Sequence, residues 1–452
     1  MAEVIKLFSD YAWGLPLVIL LIGGGLYLLV LSRFLPFRFL GHAIQVLKGK
    51  YDDSNDPGQI SHFKALTTAL SSTIGMGNIA GVAVAISVGG PGAMFWMWLS
   101  AIVGMSTKFF TGTLAIMYRG KDSQGMLQGG PMYFITEGLG KSWKPLAVLF
   151  CVFGMIGALP VVNVNQLSQA INDIILIPNG VEVGFKSNLI LGIILVIITS
   201  IIILGGLKRI SNAASKMVPA MVLLYFVLVM LILISNYDVV PKYFILIFTD
   251  AFSADYYQGD AFRGGILGAL ILLGIRRGAF SNEAGIGTAP MAHGAAKTNE
   301  PVREGLVAML GPVIDTLIVC TLTALAILVT GVWETTSNNG VSLTASAFSH
   351  VMPKYGSYLL MICVLIFSVS SLFSYAYYGS KCMAFLIGAD RKHYYNYIYI
   401  LSIILAATAP FSVMLNLIDG VFALMAIPTM VATLALAPKV IKEIKAYIKK
   451  LN

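Results

Sequence analysis

Ser71-Ser72-Thr73-Ile74-Gly75-Met76-Gly77-Asn78-Ile79-Ala80-Gly81 lies inside an apolar run covering residues 63–89. A run of that length suits a helix crossing a bilayer. The middle of the quoted stretch falls about 14 residues in, so at ~1.5 Å per residue it sits ~21 Å along, near mid-membrane. Three glycines with Ser, Thr and Asn are poor helix formers at a depth where lipid offers open backbone groups no partner. The stretch therefore predicts a helix broken around a protein-lined cavity. The N–H groups that open its outer half, at Gly75 to Asn78, present partial positive charge to an anion such as a carboxylate. Close helix packing would explain the glycines alone, but it does not call for Thr73 and Asn78. A methyl group added at Gly75 or Gly77 is expected to block approach to the backbone and stiffen the break.

The surrounding sequence agrees with a membrane setting. Of 452 residues, 57% are hydrophobic and 11% charged, with a mean hydropathy of +0.83, well outside soluble-domain composition. Apolar runs predict eleven spans at roughly 11–32, 63–89, 93–118, 145–175, 188–206, 216–236, 262–294, 304–331, 356–380, 394–413 and 417–437. The first is too long, and lacks the basic flank, for a cleaved leader. Assigning loops alternately to two sides puts 22 of the 30 Lys and Arg on one side and five (Lys6, Lys186, Lys242, Arg263 and Lys354) on the other, with Lys108, Arg276 and Arg277 inside spans. That asymmetry predicts an external amino terminus and a cytoplasmic carboxyl terminus, and it places the segment from Asn236 to Asp260 outside as a loop. Basic residues scattered through short loops argue against a nucleic-acid partner. Cys151, Cys320, Cys363 and Cys382 show no paired spacing that would suggest a disulfide framework or a zinc site.

Setting the first span aside leaves ten, which divide into two groups of five with opposite starting orientation, an inverted repeat. The predicted organisation is an extra amino-terminal helix and its connection (1–62), a first five-helix repeat (63–236), a second (237–437) and a basic tail (438–452). The seventh span then corresponds to the second and should also be broken. It reads Gly274-Ile275-Arg276-Arg277-Gly278-Ala279-Phe280-Ser281-Asn282-Glu283-Ala284-Gly285-Ile286-Gly287-Thr288-Ala289-Pro290. Counting ~1.5 Å per residue from about Phe262 puts Gly285 ~34 Å along, so depth favours a break at Gly274 to Gly278. Carbonyls of Gly274, Ile275 and Gly278 would then face an amine. Glu283, costly in a membrane, is expected to pair with Arg277 or another base. Lys108 and Asp315 are further buried charges.

Other polar groups recur inside spans. Asn163, Asn165, Gln166 and Gln169 cluster in the fourth and should face a polar interior or tie helices together. In the ninth, the Phe367 carbonyl with the Ser370 and Ser371 hydroxyls shares one helix face. Together with carbonyls of Ser71 and Ile74 at the break, these form a set of hard oxygen ligands for a sodium ion. The near-fingerprint Gly75-x-Gly77-x-x-x-Gly81 has the wrong spacing for a dinucleotide, and Gly138-Leu139-Gly140-Lys141-Ser142 lacks the P-loop glycine where Ile135 stands. No HExxH or GxSxG pattern supports a membrane enzyme, and paired interrupted helices argue for a closed central site over a channel.

Five blocks carry a resemblance: Thr73 to Ala83, Gly89-Gly90-Pro91-Gly92-Ala93, Gly129-Gly130-Pro131-Met132-Tyr133, Arg277 to Gly285, and Tyr377-Tyr378-Gly379. With them the chain resembles, over essentially its whole length, the alanine or glycine:cation symporter family of the amino acid-polyamine-organocation superfamily. The resemblance implies an all-α polytopic protein of leucine-transporter type with one added amino-terminal helix. It implies sodium as the coupling ion, alanine or glycine as substrate, and no organic cofactor. The substrate residues expected are Thr73, Gly75, Met76, Gly77, Asn78, Gln166, Gly274, Ile275 and Gly278. The alternative is a proton-coupled amino-acid transporter on the same fold. The sequence departs from the family pattern at Tyr375, where a tryptophan is usual, and at Ser380, where a glutamate is usual.

Overall fold

The computed structural model describes residues 2–53, 55–259 and 265–451. The expected start of the seventh span at 262, with Asp260 and Arg263, lies outside the described residues. The main helices are α1 (Ala2–Ala12), α2 (Leu15–Leu31), α3 (Leu40–Leu47), α4 (His62–Thr73), α5 (Gly77–Gly89), α6 (Gly92–Met117), α7 (Lys144–Gly157), α8 (Val161–Ile171) and α9 (Phe185–Ile203). They continue as α10 (Gly206–Ser235), α11 (Val240–Ser253), α12 (Gly265–Asn282), α13 (Ala289–His293), α14 (Pro301–Val329), α15 (Val341–Val351), α16 (Gly356–Ile387), α17 (His393–Thr408) and α18 (Phe411–Leu451). A two-stranded hairpin, Gly120–Lys121 against Leu127–Gln128, joins α6 to α7.

Among the described residues, seven helices are long and apolar enough to cross a membrane, and the bent pairs α1/α2 and α4/α5 bring the number to nine. The other two expected spans correspond to α12 and α17, of 18 and 16 described residues. The segment expected as a loop between the sixth and seventh spans is instead largely the helix α11. Its Asp250 accepts a hydrogen bond at 2.7 Å from the Gly92 amide and so caps the start of α6. Helix α6 forms the inner wall, its apolar stretch 89% buried between α12 and α14, whereas that of α9 is 22% buried and faces lipid.

The first break falls where the sequence placed it. Helix α4 ends at Thr73, Ile74 turns to extended geometry (φ −76, ψ 90), and the chain resumes as α5 at an angle of 53°. Amides that would close the next turn are diverted. Gly75 N–H donates to Asn78 Oδ1 at 3.0 Å and Met76 N–H to Asn163 Oδ1 at 3.2 Å, while Asn78 N–H turns back to the Gly75 carbonyl at 3.2 Å. The carbonyls at the end of α4 lose their usual partners as a result.

The second break does not fall where depth counting put it. Helix α12 runs unbroken through Gly274, Ile275 and Gly278 to Asn282. The chain then leaves the helix through Glu283 (φ 53), Gly285 (φ 87) and Gly287 (φ 104) before α13. Counting from an assumed membrane edge misjudged where the helix sits, and Gly274 and Gly278 serve packing instead. A Cβ on Gly274 would lie 2.5 Å from Trp96 Cβ and 2.7 Å from the Ala93 carbonyl oxygen, and one on Gly278 would lie 2.9 Å from Ser100 Cβ. Both glycines let α12 approach α6 closely. The glycines that the break itself needs are Gly285 and Gly287, whose left-handed backbone carries no Cβ penalty.

The two broken helices lie side by side, with α5 against α12 and α4 against α13. At the far end of α4 and α13, His62 and His293 both hydrogen-bond the buried carboxylate of Glu304 in the first turn of α14. Arg119 donates to the carbonyls of Pro57, Gly294, Ala296 and Thr298. These contacts tie the inner halves of both broken helices to one another.

Candidate functional site

A cavity with about 360 Å³ of atom-free space opens at the first break, lined by Ser72, Thr73, Gly75 and Gly77, by Gly157, Leu159, Val162 and Asn163 around the α7–α8 junction, by Phe280 of α12, Tyr375 of α16, and Ile418 and Phe422 of α18. That figure includes space open to solvent, so the room it leaves for a ligand is small. Polar and apolar groups share its walls. Ser72 donates to the Ala69 carbonyl at 2.7 Å, Thr73 to the Ala69 and Leu70 carbonyls at 3.4 Å, and the Tyr375 phenol to Glu283.

Glu283 does not pair with Arg277, and the base within electrostatic reach of it is the buried Lys108. Arg277 donates to Asp419 of α18, and Arg276 pairs with the same carboxylate at 2.9 Å. Glu283 instead accepts hydrogen bonds from Tyr375 and Thr288. The reason is local geometry: Glu283 lies beyond the end of α12 at positive φ, which directs its side chain toward α16, while Arg277 lies within the helix and faces α18. The Arg277 guanidinium also lies over the Phe280 ring, 5.5 Å from its centroid, so it helps hold one wall of the cavity.

The structure divides the residues expected to bind substrate. Thr73, Gly75 and Gly77 line the cavity. Met76 is buried beside it, its amide bonded to Asn163. The Asn78 side chain turns away toward α14. Gln166 is fully buried, its Nε2 donating to Gln169 Oε1 at 2.7 Å and its Oε1 accepting from Val341 N–H at 3.4 Å, so it ties α8 to α15 without reaching the cavity. Sequence proximity to Asn163 concealed this, since the two amides differ by three positions yet serve different neighbours. Gly274, Ile275 and Gly278 do not line the cavity either, the two glycines for the packing reason given above.

The residues expected to hold an ion come together in part. Ser71 Oγ donates to the Ser370 carbonyl at 2.7 Å and lies 2.8 Å from Ser374 Oγ. Ser370 and Ser371 donate to the Phe367 carbonyl at 3.0 and 2.9 Å. A Cβ on Gly75 would lie 2.6 Å from Ser371 Oγ, so α16 presents that hydroxyl at the break that Ile74 opens, whereas Ser370 Oγ lies 3.6 Å from Met221 Sδ of α10.

Asp315 is the residue whose importance the sequence did not reveal. It is fully buried in a π-helical turn, Val313–Cys320. Its carboxylate accepts from Asn78 Nδ2 and from Ser281 Oγ, the latter at 2.9 and 3.1 Å, and its carbonyl accepts from Asn78 Nδ2 at 3.1 Å. Asn78 therefore links the first break to a second buried carboxylate, with α12 supplying the hydroxyl. The buried Lys108 lies within electrostatic reach of this carboxylate, so the charge is balanced from α6 while Asn78 and Ser281 donate to its oxygens. In the sequence, Asp315 appears only as one charge in an apolar run, because its partners come from two other helices.

The broken-helix pair and the central cavity define a multi-pass membrane transporter of leucine-transporter fold. A crystal structure of MhsT in complex with L-phenylalanine superposes with a TM-score of 0.62 at 14% identity, covering 84% of this chain and 89% of that one. The sequence pattern of the Sodium:alanine symporter family matches residues 1–452, and the chain belongs to that family. It is 38% identical to the sodium/alanine symporter AgcS of Methanococcus maripaludis, over 98% of this chain and 97% of that protein. It is 34% identical to the probable sodium/glutamine symporter GlnT of Bacillus subtilis, over 99% of this chain and 91% of that protein.

Proposed function

We propose that this protein carries a small neutral amino acid, alanine and also glycine, into the cell together with sodium by alternating access. The observation that carries this reading is the small cavity at the bend between α4 and α5, bordered by an apolar wall of Leu159, Val162, Phe280, Ile418 and Phe422. A cavity of this size favours a short side chain, and the identity to AgcS supports alanine over the glutamine in the name of GlnT. The proposed setting is the plasma membrane, with eleven spans, the amino terminus outside and the basic carboxyl terminus in the cytoplasm.

Sodium is proposed to sit between the carbonyls of Ser71 and Ile74 and the oxygens of Phe367, Ser370 and Ser371. An ion there ties α4 to α16. One positive charge moving inward through 100 mV, inside negative, releases ~2.3 kcal/mol, which can drive accumulation of a zwitterion. Release to the cytoplasm then requires the ties of His62, His293 and Glu304 to part so that the inner half-helices can separate.

The deciding experiment is uptake of labelled alanine into proteoliposomes under an imposed sodium or proton gradient. Sodium-driven uptake is expected. Uptake driven by protons alone would move the coupling role to Glu283, a buried carboxylate bonded to hydroxyls, or to the buried Lys108. Ser371→Ala removes one oxygen, and a loss of about 1–3 kcal/mol lowers sodium affinity roughly five- to 150-fold. Alanine affinity in that variant should recover at high sodium. An unchanged sodium dependence in both Ser370→Ala and Ser371→Ala would reject this ion site.

A further inference from the structure

We infer that the side-chain Nδ2 of Asn163 is the ligand of the substrate's carboxylate, a role that rests on the proposed amino-acid site. Most of the amides expected to meet an anion at the break are already held: those of Gly75 and Met76 by the carboxamide oxygens of Asn78 and Asn163, and that of Asn78 by the Gly75 carbonyl, so only the Gly77 amide remains on the backbone. The hydroxyl hydrogens of Ser72, Thr73 and Tyr375 are likewise committed, to the Ala69 and Leu70 carbonyls and to Glu283. Among the side-chain donors on the cavity wall, this leaves the Asn163 amide.

Its orientation follows from the bond it already makes. The Met76 N–H can be accepted only by the carboxamide oxygen, so Oδ1 is fixed on the break. Nδ2 is then the end left for a ligand in a side chain that lines the cavity and is 8% exposed. Accepting the Met76 amide polarises the carboxamide and strengthens its N–H groups as donors. The positive end of α5 is thus conveyed to the substrate through Asn163 beside the Gly77 amide. The hydroxyl oxygens of Ser72 and Thr73, and the Tyr375 phenol backed by Glu283, form the acceptor-rich wall that suits the ammonium group.

The test is binding of L-alanine and of L-alaninamide, which lacks the carboxylate, to the purified full-length protein in sodium buffer. Asn163→Asp keeps the size and the oxygen for Met76 but replaces the donor with an anionic acceptor. It is expected to lose alanine affinity by about 100-fold and to bind alaninamide more tightly than the wild type does. Alanine affinity within threefold of wild type, or equal loss of both ligands, would overturn the assignment. If the aspartate variant does not fold, Asn163→Ala serves: the preference for alanine over alaninamide should fall by at least about tenfold, and an unchanged preference overturns the assignment. A wild type that binds no neutral amino acid overturns the proposed function and this role with it. Wild-type binding with an unchanged ligand preference in the variants removes Asn163 alone.

Discussion

The two helix breaks at the centre of the protein are made by different devices. The first, after Thr73, bends the axis by 53° and is held open by carboxamides, Asn78 and Asn163, that take the amides of Gly75 and Met76. The second, after Asn282, is made by left-handed backbone at Glu283, Gly285 and Gly287 and is held by the hydrogen bonds from Tyr375 and Thr288 to Glu283. The first borders the cavity with its backbone. The second reaches it through Phe280 on the helix before the break and through Tyr375, which its glutamate holds in place. Related positions in an inverted repeat thus need not expose backbone in the same way. What they share is a break buried in protein, where side chains replace the missing helix partners.

Substitutions can test that contrast. Asn78→Ala should have the largest effect, because it removes the Gly75 cap and a donor to the buried Asp315 carboxylate together. A loss of about 3 kcal/mol or more in unfolding stability is expected, with uptake abolished; melting in detergent and proteoliposome uptake check it. Near-wild-type melting would mean that the first break holds without its carboxamides.

Gly274→Ala should come next, at about 1–3 kcal/mol of stability, since its new methyl meets the backbone of α6. Alanine affinity per folded molecule should stay within about threefold, as expected of a packing glycine. Lost affinity in a stable variant would return Gly274 to the binding site.

Gly75→Ala should cost about 1 kcal/mol of stability, because Ser371 Oγ at 2.6 Å can rotate away. Its alanine affinity should nevertheless fall, since that rotation disturbs both the proposed ion site and the cavity. Glu283→Gln should cost about 1 kcal/mol, because a carboxamide oxygen can still accept from Tyr375 or Thr288. Sodium-driven uptake that persists in this variant would remove Glu283 as an obligatory proton carrier.

The smallest effect is expected for Gly77→Ala, within about 0.5 kcal/mol, because its Cβ would meet the Phe280 ring at 3.4 Å, ordinary contact. This separates two glycines that the sequence treats alike. Equal loss of binding in Gly75→Ala and Gly77→Ala, measured by alanine titration, would show that both positions need bare backbone.

From the sequence alone one could determine the membrane class, the first break and the helix face shared by Phe367, Ser370 and Ser371, since each depends on local composition or helical periodicity. Apolar length measures bilayer crossing, and Gly75 and Gly77 beside Asn78 mark where a helix cannot continue in lipid. Only the tertiary structure decided the rest. Gly274 and Gly278 could be recognised as packing contacts once α6 was seen against α12, and Glu283 found Tyr375 because a left-handed residue turned it from Arg277. Asn163 and Gln166, three positions apart on α8, took separate roles according to whether the break or α15 stood opposite. Asp315 acquired its surroundings from Asn78 and Ser281, 237 and 34 residues away. The physical reason is the same in each case: a helix's sequence specifies which residues share a face, but the partner of a buried polar group is set by the helix packed against that face.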